Sequence, residues 1–97
     1  MSTLSITIEN NIAQLDGPLN RSTIEKLIPK SHLKIVNSTE ALVNLNAVST
    51  VDTAGLAWLL YLIECAHKTK CQLSFAHMPD DLLKLAKLSA VDAFFAS

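Results

Sequence analysis

Residues 41–68, ALVNLNAVSTVDTAGLAWLLYLIECAHK, read as a strand, a polar turn and a long helix, and the rest of the chain is arranged around them. Leu42, Val43 and Leu45 surround Asn44 in a run too apolar for a strand wetted on one face, which predicts a buried strand over Ala41–Leu45. Ser49-Thr50-Val51-Asp52-Thr53 predicts a turn ending in short oxygen-bearing side chains where a helix N-cap belongs. Ala54-Gly55 follows, small enough to let another backbone come close.

The helix is expected from about Ala54 to Lys68. At 100° per residue Leu56, Leu59, Leu60, Ile63 and Ala66 form one apolar stripe, suited to packing on a sheet. Ala54, Trp58, Tyr61 and Cys65 form a second stripe on the other side, widened by Ala57 and Leu62. Charge is confined to an edge, where Glu64 and Lys68 are spaced for an i,i+4 ion pair worth a few tenths of a kcal/mol. A helix apolar on two faces is buried on two faces, and 97 residues are too few to wrap it twice. The second face is therefore expected to meet another protein, and the free chain to self-associate through Trp58, Tyr61, Leu62 and Cys65.

Outward from this stretch, Leu4-Ser5-Ile6-Thr7-Ile8 and Ile12-Ala13-Gln14-Leu15 alternate with period two around Glu9-Asn10-Asn11, which predicts a hairpin closed by Asp16-Gly17-Pro18. Asn20 is placed to cap a helix carrying Ile24, Leu27 and Ile28, which Pro29 ends. Lys30–Glu40 reads as a second short helical piece. Cys71–Ala76 alternates as a strand, Met78-Pro79-Asp80 breaks it and offers a cap, and Asp80–Leu88 has leucines at helical spacing. Val91, Phe94 and Phe95 are expected to clasp the core. The order β-β-α-β-α-β-α implies one α/β domain over residues 1–97, with a mixed sheet and helices mainly on one side.

Composition narrows the function. With 49% apolar residues, 18% charged residues and a net charge of −1, the chain is globular and ill suited to neutralising nucleic-acid phosphates. The N-terminus lacks the features of a secretory signal, and the apolar run Ala54–Ile63 is about half of a bilayer span. No membrane insertion is expected. Cys65 and Cys71 read as small hydrophobes in a reduced cytoplasm. His32, His67 and His77 are scattered and pair with no Cys, Asp or Glu at metal spacing, so no metal and no cofactor is expected. Two glycines cannot build a phosphate loop, and no nucleophile–base pair is evident, which argues against an enzyme.

Val51-Asp52-Thr53-Ala54-Gly55-Leu56, following an apolar strand, resembles the signature of the STAS domain family (sulfate transporter and anti-sigma factor antagonist): strand, Asp, Ser or Thr, small residue, Gly, Leu, helix. Gly17-Pro18-Leu19-Asn20 and Leu85-Ala86-Lys87-Leu88 fall in the order of the MlaB group within that family, the small cytoplasmic STAS subunits of the bacterial Mla phospholipid-transport ABC complex. The resemblance covers essentially the whole chain. It implies a STAS fold with a four- to five-stranded mixed sheet, and a non-catalytic regulatory subunit bound to the complex's cytoplasmic ATPase at the inner membrane. The implied binding residues are Asp52, Thr53, Ala54, Trp58, Tyr61 and Leu62.

The resemblance also implies a second possibility, an anti-sigma factor antagonist whose Thr53 is phosphorylated by a partner kinase to end binding. A hydroxyl at a helix N-terminus is well placed to carry phosphate. A small-ligand or nucleotide-binding domain using the turn as an anion site is a third. In the bland alternative Thr53 only caps the helix while Asp52 accepts turn hydrogen bonds. Many STAS relatives carry an acid where Asn44 stands, near the phosphoacceptor, and an amide there lowers the odds of acid–base or nucleotide chemistry.

Overall fold

The computed structural model describes residues 3–27 and 31–95. β1 (Ser5–Glu9) and β2 (Ile12–Leu19) form an antiparallel hairpin, turned by Asn10 and Asn11 at φ 52° and 65°. Two consecutive residues with positive φ make the turn twist that suits paired strands, and Asn tolerates that conformation better than most side chains do. β2 does not stop at Asp16-Gly17-Pro18, as expected, but runs on to Leu19. Gly17 sits at φ 117°, and a Cβ there would overlap the Thr3 carbonyl oxygen, so the strand continues only because that residue is glycine.

Two short helices follow, α1 (Arg21–Glu25) and α2 (Ser31–Ile35). Asn20 caps α1 as expected: its Oδ1 accepts from the Thr23 N–H at 2.9 Å, and Thr23 Oγ1 accepts from the Asn20 N–H at 3.1 Å. This reciprocal pair satisfies two otherwise orphaned donors. Leu27 lies beyond the helix, while Ile28, Pro29 and Lys30 are outside the described residues.

β3 spans Glu40–Val51, twelve residues where five were expected. It pairs parallel to β2 and to β4 (Gln72–Ala76), giving a four-stranded mixed sheet in the order β1-β2-β3-β4. Its register against β2 slips twice, between Gln14 and Asp16 and again between Gly17 and Leu19. Each slip admits one extra residue in β3, so the buried positions run Val43, Leu45, Val48, Val51 instead of alternating. Asn44 supports the first slip, its Oδ1 accepting from the Asn46 N–H at 3.0 Å.

α3 (Thr53–Thr69) crosses the sheet, with α4 (Asp80–Leu88) and a 3-10 turn (Asp92–Phe95) completing the layer. Pro79 occupies the N-cap of α4 without a side-chain bond, so Asp80 is not the cap but the first helical residue, favourable there for its charge alone. The helices pack on one side of the sheet, and the core between the layers includes Leu15, Leu19, Val43, Leu45, Leu59, Leu62 and Leu82. The terminal clasp forms in part. Phe95 is buried and tilts against Phe75 at 5.3 Å, Val91 packs on the core edge, and Phe94 is 61% exposed.

The rotation of α3 differs from expectation. Gly55, Leu56, Leu59, Leu62, Cys65 and Ala66 face the core, with Leu62 fully enclosed, while Leu60 and Ile63 lie at the margins. α3 contacts α1 and α2 as well as α4. Much of the second apolar face is therefore covered by the chain's own helices.

Candidate functional site

The site is built where two parallel strands end side by side. β2 and β3 pair through Leu19 and Val51 at their C-terminal ends, and each runs directly into a helix. The start of α1 and the start of α3 are thereby neighbours. Asp52 joins them. Its Oδ1 accepts from the Gly55 N–H at 2.8 Å, capping α3, and its Oδ2 accepts from the Arg21 N–H at 3.2 Å, at the start of α1. The Asp52 N–H donates to the Leu19 carbonyl at 3.2 Å. Gly55 completes the junction, because a Cβ at that position would overlap the Leu19 carbonyl oxygen.

The cap is thus Asp52 and not Thr53. Thr53 is the first residue of α3, exposed, with its backbone already inside the helix. Asp52→Ala should destabilise the domain by about 1–2 kcal/mol, because it removes a cap and a second acceptor together. Thr53→Ala should cost under about 0.5 kcal/mol, as an exposed change away from any cap. Urea unfolding of the two variants checks the assignment; equal losses would return the capping role to Thr53.

Of the other expected contact residues, Ala54 and Trp58 are half-buried at the flank of α3, and Tyr61 is 45% exposed. Leu62 is a correction: it is completely buried, so it has no surface to offer a partner. Cys65 is also buried, and the patch expected to drive self-association is reduced to Tyr61 and the rim of Trp58. Tyr61 meets His32 of α2 edge to face, ring centroids 4.8 Å apart, with its Oη 3.4 Å from Nε2. Its phenol pKa is raised, first by a hydrogen bond with Cys65 and then by the charge interaction between the two. The Cys71 thiol is pushed up by burial, the opposite of what a nucleophilic cysteine needs.

The structure adds residues that the sequence reading passed over. A groove of about 430 Å³ separates Asp52 and Thr53 from the α4 residues Asp81, Lys84, Leu85 and Leu88. Leu88 is 85% exposed there. Its helical spacing with Leu85 reads as a core stripe, and only the end of β3 shows that the C-terminal part of α4 lies beside Thr53. Asn44, by contrast, is remote. It lies seven residues before Val51 on β3, roughly 20 Å along the strand. It is therefore not near the hydroxyl, and its role is the bulge.

Among the described residues no group of three or more His, Cys, Asp or Glu could hold a metal, and no helix is long and apolar enough to cross a membrane.

A mixed four-stranded sheet with helices on one face, and a strand–Asp–Thr–helix junction at the C-terminal end of its parallel strands, defines an α/β domain of the STAS type. The chain belongs to the STAS domain family, whose family model matches residues 4–96. Among solved structures it is similar to the anti-sigma factor antagonist SpoIIAA in its unphosphorylated form, with a TM-score of 0.67 and 14% identity over 96% of this chain and 85% of that one. It is equally similar to the Bacillus cell fate determinant SpoIIAA in the phosphorylated form, with a TM-score of 0.67 and 12% identity over 96% of this chain and 88% of that one. At these identities the likeness shows the fold. No curated protein matches the sequence.

Proposed function

We propose that this chain is a non-catalytic protein-interaction module of the anti-sigma factor antagonist kind, whose partner binding is switched by phosphorylation of Thr53. One observation carries the reading. Because Asp52 supplies the cap, the exposed Thr53 hydroxyl stands at the first turn of α3 with no structural duty there. A phosphate can be added without dismantling the helix start, and a dianion at that end of the dipole is tolerated by the fold. At a docked surface the same charge would have to be desolvated, which ends binding. Thr53, Ala54, the Trp58 rim and Tyr61 would form the contact, with Asp52 holding the turn in shape.

A second reading keeps the site and changes the partner to the ATPase of a phospholipid-transporting ABC complex, as in the MlaB group. The exposed Ala57 and Tyr61 and the half-buried Leu60 favour it, since they extend the contact along α3 beyond the switch residue. Full-length chain carrying either Thr53 or genetically encoded phosphothreonine at that position, used as bait in the source cell's lysate, tests both readings. Capture of a kinase by the unmodified form alone supports the switch. Capture of an ABC ATPase supports the second reading, and equal capture by both baits overturns the switch.

A further inference from the structure

The face of the sheet opposite the helices has no place in the reading above, and no described helix covers it. The strand pairings bring Glu9, Ile12, Leu42 and Ser74 into one row across all four strands, with Glu40 and Gln72 in the next row. Ile12 is 41% exposed and Leu42 half-buried, so an apolar pair lies in the middle of this face in contact with water. Two adjoining grooves of about 340 and 300 Å³ share Ile12 and Asn10. The first reaches Glu40 and the second reaches Glu9, so together they form a trough with an apolar floor and a carboxylate towards each end.

The charge on this face has one sign. The four strands carry Glu9, Asp16 and Glu40, all exposed, and not one Lys or Arg. The whole chain is nearly balanced at −1, and among the described residues every Lys and Arg lies in a helix or at a helix C-cap, outside the strands. The ion pairs Arg21–Glu25 and Lys68–Glu64 both lie within helices. Long-range attraction at the open sheet face therefore acts on cations, and its floor rewards apolar contact.

We infer that the open sheet face is a second docking surface, which takes a basic segment of a partner protein with its apolar side chain on Ile12 and Leu42 and flanking Arg or Lys side chains on Glu9 and Glu40. The dimensions agree. Glu9 and Glu40 lie on β1 and β3, two strand spacings across and two residues along, or about 12 Å apart. An extended segment covers that in about four residue steps, with its first and last side chains on the same face. The amide side chains of Asn10 and Gln72 along the trough add neutral acceptors for a guanidinium. The surface lies on the opposite side of the sheet from the helix layer that carries Thr53, so it neither needs nor tests the switch.

The probe is the peptide acetyl-Arg-Ser-Leu-Ser-Arg-amide, whose Arg, Leu and Arg side chains share one face when extended, titrated into the full chain and followed by amide-resolved NMR. Its counterpart with Gln in place of both Arg is the control. The expected result is saturable binding, with shifts confined to strand residues and to the side-chain amides of Asn10, Gln14 and Gln72. Affinity should fall about five- to tenfold for the Gln peptide, and by a similar factor for the doubly substituted Glu9→Gln, Glu40→Gln chain. Both glutamates are exposed, so that variant keeps the fold. Absence of saturable binding, shifts centred on the helices, or equal binding of the neutral peptide would overturn the inference and leave the Thr53 reading as it stands.

Discussion

Leu62→Ala should lower the stability of the domain by about 2–5 kcal/mol, whereas Tyr61→Ala, one residue earlier, should cost under about 1 kcal/mol. Leu62 is fully enclosed between α3 and the sheet, so its removal leaves a cavity that close-packed neighbours cannot refill. Tyr61 is 45% exposed, and its removal loses the edge contact and long hydrogen bond with His32 and the interaction with Cys65. For a domain stable by several kcal/mol the first variant will be largely unfolded near physiological temperature. Urea unfolding of both chains decides the matter. Equal losses, or a larger loss at Tyr61, would mean that α3 is rotated from the orientation described.

Thr53→Glu is expected to separate folding from binding. The isolated domain should keep its circular dichroism and gain up to a few tenths of a kcal/mol, since a carboxylate suits the first turn of a helix. Partner capture should be lost, because a buried interfacial carboxylate without a cation costs several kcal/mol. Thr53→Ala should still bind within about tenfold, having removed a hydroxyl without adding charge. A Thr53→Glu chain that captures its partner as the unaltered chain does would remove Thr53 from the interface and end the switch reading.

Sequence reasoning reached the family and the sheet with its helices on one side, because the hexapeptide Val51–Leu56 and the flanking motifs were enough for the first and the β-β-α-β-α-β-α order for the second. It misjudged β3 for a definite reason. Strand recognition rests on period two, and the two bulges space the buried residues Leu45, Val48 and Val51 three apart. Polar residues fall between them, so the segment imitates a loop. The error in the cap has the same origin. Once the strand runs to Val51, the one residue left outside both elements is Asp52.

The phase of α3 was illegible for another reason. Nearly every position from Ala54 to Ile63 is apolar, so periodicity fixes that a helix forms but hardly fixes its rotation. Rotation is set instead by Gly55, the one residue small enough to sit on the Leu19 carbonyl, and that contact depends on a strand 36 residues earlier. A helix flanked by α1, α2 and α4 also needs a wider apolar arc than a helix at the edge of a layer. The second stripe therefore reflected intramolecular neighbours more than an absent partner. Within the candidate site, the Asp52–Thr53 junction could be read locally, while Lys84 and Leu88 become its neighbours only through the tertiary fold.

The carboxylate of Asp52 grips its own segment through Gly55 and, through Arg21, a second segment 31 residues before it. A helix end ordinarily frays by itself, losing a turn at small cost. Here the first turn of α3 cannot open without also releasing the first turn of α1 and the end of β2 that leads into it. Local unfolding at this turn is thereby converted into opening of a larger cooperative unit, and the Thr53 hydroxyl is presented in one geometry rather than sampled from many. Whatever approaches that hydroxyl meets a surface that does not have to be ordered first.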